Sequence, residues 1–179
     1  MSKSTLKVIF LDCDGVLANY RSQMMEVSPG DSGDLIFDCN DEENKPLEKS
    51  CLANLQWLAT SANAKVVLTS TWRLERSMRN FLVHTLQVYG IDVVGDTPAS
   101  RDGRGAEVRA WLSASQAVVE GFVILDDDHE SSFQQHGLID RFVQTEMYGQ
   151  RSLSVLDPAL GLTRAKAEEA LHILKRPLQ

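Results

Sequence analysis

Four short apolar runs punctuate the chain, and each stops abruptly at polar residues. Val8-Ile-Phe-Leu11 has no alternation and is rich in β-branched and aromatic side chains, so it reads as a strand buried on both faces, ending in Asp12, Asp14 and Gly15. Lys65 to Thr69 reads as a second strand, closing at Thr69-Ser70-Thr71 and followed by Trp72-Arg73. Ile91 to Val94 is a third; it opens onto a loop from Gly95 to Arg104 that carries Asp96, Arg101 and Asp102. Gly121 to Leu125 is the fourth, running into Asp126-Asp127-Asp128-His129, and Phe142 to Gln144 adds a last short strand. The intervening stretches have helical period. Pro46 is expected to open a helix through Leu47, Leu52, Leu55, Leu58 and Ala59, running to about Ser61. A second carries Met78, Phe81, Leu82, Leu86 and Tyr89 and stops at Gly90; a third runs from Gly105 to Ala117 through Val108, Trp111 and Leu112. Thr163 caps a final helix, Arg164 to Leu174, that packs through Ala167, Leu171 and Leu174.

This alternation predicts an α/β domain of Rossmann-like type, a central parallel sheet flanked by helices with right-handed crossovers, occupying residues 1–179 as one unit. The polar segment at about 19–45, with Pro29, Gly30, Gly33 and an acidic run at Asp38, Asp41, Glu42 and Glu43, reads as a flap or loop insertion with room for one short hairpin, serving either as a small lid or as a surface connection.

Parallel strands share one direction, so the four polar strand ends must meet at a single edge of the sheet, where open α/β sheets hold their ligands. Separately, each has a plain explanation: Ser and Thr start helices, loop arginines are solvated, and aspartates make turns. Jointly those explanations must all hold at one edge. Asp12 and Asp14 repel each other, which makes sense when a cation lies between them or one is kept protonated.

Net charge −7 argues against a broad non-specific grip on nucleic acid, so a polyanionic substrate would need metal and arginine at the site. Three cysteines without paired spacing and no signal peptide favour a reduced, cytoplasmic setting, and no apolar run approaches membrane-spanning length. Cys13, between the two acids, should point away from them and fill core space.

Asp12-x-Asp14-Gly after a hydrophobic strand, Ser/Thr after the second, a basic residue before a later helix, and Leu-Asp126-Asp127 after another strand resemble the four motifs of the haloacid dehalogenase (HAD) superfamily over about Lys7 to Asp128. More narrowly, Thr69 to Arg73, Arg104-Gly105-x-Glu107 with Trp111-Leu112, the Leu-Asp-Asp-Asp stretch and the late Gly161-Leu-Thr resemble the HAD domains associated with RNA-repair proteins.

The resemblance implies a HAD fold with a minimal cap and Mg²⁺-dependent hydrolysis of phosphomonoesters through an aspartyl-phosphate. Asp12 would be the nucleophile and Asp14 the acid and base, an acid that dehalogenases and phosphonatases typically lack. Mg²⁺ would be bound by Asp12, the main-chain carbonyl of Asp14, and Asp126 or Asp127. Ser70, ahead of Thr69 as the closing residue of the strand, would donate to the phosphoryl oxygens, with the register open by one, and Thr71 and Arg73 would be further phosphate contacts. For Arg73 the alternative is a pair with a nearby acid while Trp72 packs on the sheet edge. The basic residue, usually Lys in the superfamily, would be Arg104 ahead of Arg101 and Arg109. Asp128 and His129 would stand behind the ligands or lie solvated in the loop. With so small a cap the site should be open, which suits a nucleic-acid end phosphate or a nucleotide. Two rivals share these residues: a non-catalytic module that holds a phosphorylated partner, and a phosphotransferase with an acceptor other than water. The oligomeric state is left open.

Overall fold

In the computed structural model, residues 5–24, 35–37, 46–148 and 159–178 are described. In chain order they form β1 (Thr5–Leu11), α1 (Tyr20–Met24), β2 (Leu35–Ile36), β3 (Leu47–Glu48), α2 (Lys49–Ala62), β4 (Ala64–Leu68), α3 (Arg76–Val88), β5 (Val93–Asp96), α4 (Arg104–Ala114), β6 (Val118–Asp126), α5 (Glu130–Gln135), β7 (Phe142–Gln144) and α6 (Arg164–Lys175). The main sheet has the order β5-β4-β1-β6-β7, and all its pairings are parallel. The fold is therefore the Rossmann-like α/β architecture that the alternating pattern predicts, with the strand bearing Asp12 at its centre.

β1 earns that central place by its composition. Val8, Ile9, Phe10 and Leu11 are all fully buried, and alternation sends them to opposite faces. Ile9 and Leu11 join one core with Leu52, Leu55 and Leu58 of α2, Leu82 and Leu86 of α3, and Ala167 and Ala170 of α6. Val8 and Phe10 join the other, with Val108 of α4 and Phe133 of α5. Phe10 meets Trp111 edge to face at 5.4 Å between centroids. Each such apolar side chain, fully removed from water, contributes about 1.5–3 kcal/mol.

Register then places the chemistry. Leu11 pairs with Leu68 on one side and Leu125 on the other. The next residues, Asp12, Thr69 and Asp126, therefore stand level with one another at the carboxyl edge of the sheet. Backbone bonds carry the ladders past the strand ends: Asp12 N donates to Leu125 O and Thr69 N to Leu11 O, both at 2.9 Å.

Some elements depart from expectation. Pro46 does not open a helix; Leu47–Glu48 instead pairs antiparallel with Leu35–Ile36, and α2 begins at Lys49. The insertion thus contributes a two-stranded ladder that borrows its second strand from the expected helix. The rest of the flap, 25–34 and 38–45, including the acidic run, lies outside the described residues, as does Cys39. The third strand begins two residues late. Gly90 (φ +69°) ends α3 with its N–H on Gln87 O and that of Ile91 on Leu86 O, a Schellman closure that commits the buried Ile91 to the helix end. Thr163 does cap α6, its hydroxyl accepting from Lys166 N. No helix among the described residues is long and apolar enough to cross a membrane.

Candidate active site

The turn after β1 is built to present carboxylates. Cys13 is fully buried, and its carbonyl accepts from the N–H groups of Val16, Leu17 and Ala18. Gly15 holds φ +70°, and a Cβ there would land on the Asp127 carboxyl. Only glycine lets the β1 turn come this close to the end of β6.

Asp12, Asp126 and Asp127 meet at that edge, with a carboxylate oxygen from each lying within 4.8 Å of the others. Burial pushes the Asp12 carboxyl up to about 7; Asp126, Asp14 and Asp127 add to the shift and Arg104 opposes it. Burial first, and then Asp126, push Asp127 up to about 6. Asp126 is fully buried: its Oδ1 accepts from Asp128 N at 3.0 Å and lies 3.2 Å from His129 Nδ1, whereas its Oδ2 has no hydrogen-bond partner. His129 is raised in turn, chiefly by that hydrogen bond to Asp126. So many buried anions with an unpartnered oxygen make an unfavourable arrangement by themselves. An all-carboxylate donor set is what a hard divalent cation such as Mg²⁺ takes, and it fits the residues present. Asp12, Asp126 and Asp127 would hold the ion.

If so, magnesium at about 100 times its dissociation constant should stabilise the fold by about 2.7 kcal/mol, or roughly 5–10 °C in melting temperature for a chain of this size. Thermal melts with Mg²⁺ against EDTA check this, and Asp126→Asn should flatten the difference. A wild-type melting temperature indifferent to millimolar Mg²⁺ would remove the ion from this site.

The remaining candidates divide. Arg104, in the first turn of α4 and buried, places Nη1 3.4 Å from Asp12 Oδ1, donates to Thr69 O, and lies 3.9 Å from both Asp126 and Glu107. The other two arginines lie elsewhere: Arg101 is exposed, and Arg109 bonds the carbonyls of His136 and Gly137 beyond α5. Asp14 is half-buried and accepts from Trp72 Nε1 at 2.9 Å. The buried indole thus holds a carboxylate, a link across 58 positions that no local pattern announces. Ser70 caps a 3₁₀ turn (Thr71–Leu74) by accepting from Trp72 N, while Thr69 Oγ1 is buried without a partner. Of the two hydroxyls, that of Thr69 is the uncommitted one. Thr71 is exposed on the first residue of that turn.

Arg73 does not face the cluster. Its Nε donates to Thr97 O at 2.9 Å, its Nη1 to the carbonyls of Thr69 and Ser70, and its Nη2 pairs with Glu107 at 2.9 Å. These contacts are those of the alternative reading, an arginine paired with a nearby acid. Glu107 was legible only as part of a motif; its i,i+3 spacing from Arg104 on α4 was the one local sign of its place.

A parallel sheet with the first strand central, delivering an aspartate cluster and a buried arginine to its carboxyl edge, defines a HAD-type domain. The finer relationship is to the HAD domain in Swiss Army Knife RNA repair proteins: that family model matches residues 8–167, and the chain belongs to this family. Membership places it among HAD-type phosphohydrolases and phosphotransferases, which usually use a metal. No curated protein matches the chain.

Proposed function

We propose that this protein is a Mg²⁺-dependent phosphomonoesterase that works through a phosphoaspartate on Asp12, and that its substrates are phosphorylated nucleic-acid ends or nucleotides. The observation that carries the reading is the buried Asp12 carboxylate held between Arg104 and the Asp126/Asp127 pair, with a second, more accessible acid, Asp14, two residues on. One carboxylate is placed to attack and another to move protons.

Asp12 Oδ attacks phosphorus in line and forms an O–P bond as the bond to the leaving oxygen breaks. Asp14 gives its proton to that oxygen, so the alcohol leaves neutral, and the Trp72 indole N–H fixes the carboxyl's direction. Asp14, now ionised, takes a proton from water as the water oxygen attacks the same phosphorus; the Asp12–phosphorus bond breaks, releasing inorganic phosphate. Arg104 neutralises negative charge beside Asp12, and the Thr69 and Ser70 hydroxyls can donate to phosphoryl oxygens. A bound divalent cation supplies further charge neutralisation for the phosphoryl group. The family's association with RNA repair supports nucleic-acid ends as the substrate class.

The test is phosphate release from an aryl phosphate, from 5′- and 3′-mononucleotides, and from oligonucleotides carrying either terminal phosphate, with Mg²⁺ and with EDTA. The expected result is Mg²⁺-dependent release, fastest on the nucleic-acid substrates. Folded protein that turns over none of them overturns the reading.

A further inference from the structure

Beside the aspartate cluster lies a cavity of about 340 Å³, open to solvent, whose wall continues β7 past its end. Register connects the two. Asp126 pairs with Gln144, and Thr145 N donates to Asp126 O at 3.0 Å, so Thr145 follows β7 as Asp127 follows β6, and both line the cavity. Backbone bonds fix the wall: Gly161 N donates to Glu146 O at 2.9 Å and Tyr20 N to Met147 O at 3.0 Å.

Three features of the lining point to one kind of ligand. Thr145 is 2% exposed, and its hydroxyl has no hydrogen-bond partner, an expense unless something else is bound there. Tyr148 is 55% exposed and is steadied by Tyr20, with ring centroids 5.7 Å apart, so an aromatic face is held ready at the cavity rim. Lys166 reaches the same cavity from the first turn of α6; its pair with Glu169, exposed and 3.4 Å long, is too weak to withhold it from a stronger anion. A buried hydroxyl, an aromatic face and a flexible cation, in that company, suit sugar, base and phosphate in sequence. The volume, near the low end of the roughly 300–1,000 Å³ typical of ligand cavities, suits a single nucleoside.

We infer that this cavity receives the nucleoside that carries the scissile phosphate at the end of a polynucleotide, with the base on Tyr148, a sugar hydroxyl on Thr145 and the neighbouring phosphodiester on Lys166. The inference rests on the phosphomonoesterase reading above and assigns the leaving-group side of that site.

Tyr148→Ala and Lys166→Ala test it, since both residues are at the surface and neither belongs to the aspartate cluster. In Tyr148→Ala, kcat/KM should fall about tenfold on phosphorylated oligonucleotides and on mononucleotides, as expected for a lost base stack, with the melting temperature unchanged. In Lys166→Ala it should fall on the oligonucleotides alone, and the salt dependence of their binding should become shallower by about one unit of slope. A small aliphatic phosphomonoester, which has nothing to stack, should be handled alike by all three proteins. Equal losses on every substrate, or none on any, overturn the assignment. Binding of a labelled, end-phosphorylated oligonucleotide to Asp12→Asn, with and without Tyr148→Ala, separates the two levels. Wild-type protein that binds but never turns over defeats the phosphomonoesterase reading, whereas affinity indifferent to Tyr148→Ala defeats this one.

Discussion

Replacing Asp12 by Asn should abolish phosphate release and, in EDTA, raise the melting temperature. The first effect follows from the amide being no nucleophile toward phosphorus: a double-displacement path loses its covalent step, and turnover should fall on the order of 10⁴-fold or more. The second follows from what surrounds the residue. Three acids place oxygens within 4.8 Å of one another, two of them nearly removed from water, with Arg104 as the guanidinium beside them. Deleting one negative charge relieves both the repulsion and the desolvation that push Asp12 up to about 7, and the Asn side-chain oxygen can still accept from Arg104. A rise of a few degrees in EDTA is expected. With saturating Mg²⁺ the order reverses, because the wild type gains a ligand-bound state that the variant has weakened. Steady-state phosphate release and paired melts with and without Mg²⁺ check both halves. Retained turnover would place the nucleophile elsewhere. A wild type that binds a phosphorylated oligonucleotide without ever releasing phosphate would instead mark the chain as a binding module.

The parts of this site that could be read from sequence are those set by strand direction. Once Val8–Leu11 and Gly121–Leu125 are parallel neighbours, Asp12 and Asp126 must emerge together, and register does the rest. The parts that could not be read depend on which side chains meet across the fold. Trp72 reaches Asp14, and Arg73 reaches Glu107, through single long-range contacts that leave no periodicity behind. Local rules misled where tertiary pairing overrode them. Pro46 is a sound helix opener in isolation, yet Leu47 and Glu48 gain a ladder with Leu35 and Ile36, and Glu48 gains Arg21, which donates Nε and Nη2 to its two carboxylate oxygens at 2.7 Å. Ile91 looks like the first residue of a strand but closes the helix before it. The six-residue α5 escaped because one buried residue, Phe133, is too little to set a helical period.

Arg73 is where sequence and structure lead to the most different experiments. An arginine touching the substrate phosphate should, when replaced by Met, raise KM and leave the fold untouched. The observed contacts predict the opposite. Arg73 ties together the end of β4 through the Thr69 and Ser70 carbonyls, the residue after β5 through Thr97 O, and α4 through Glu107, all buried. Removing it leaves the Glu107 carboxylate without its closest cation, since Arg104 is 3.9 Å away and shared with Asp126, and strips Thr97 O of its donor, although Thr69 O keeps Arg104 and Ser70 O keeps the backbone N–H of residue 73. Breaking one side of such a buried pair costs about 3–5 kcal/mol, which for a chain of this length lowers the melting temperature by about 6–20 °C. Arg73→Met/Glu107→Gln should be less damaging than the sum of its two single changes, because the stranded charge goes with its partner; the coupling read from that cycle should be about 0.5–3 kcal/mol. Activity measured below the melting transition should fall in kcat, since the segment holding Thr69 and Ser70, placed to donate to the phosphoryl oxygens as charge builds there, loses its brace. Melts of the four proteins together with kcat and KM for Arg73→Met decide the matter: an unchanged melting temperature with a raised KM would return Arg73 to the phosphate.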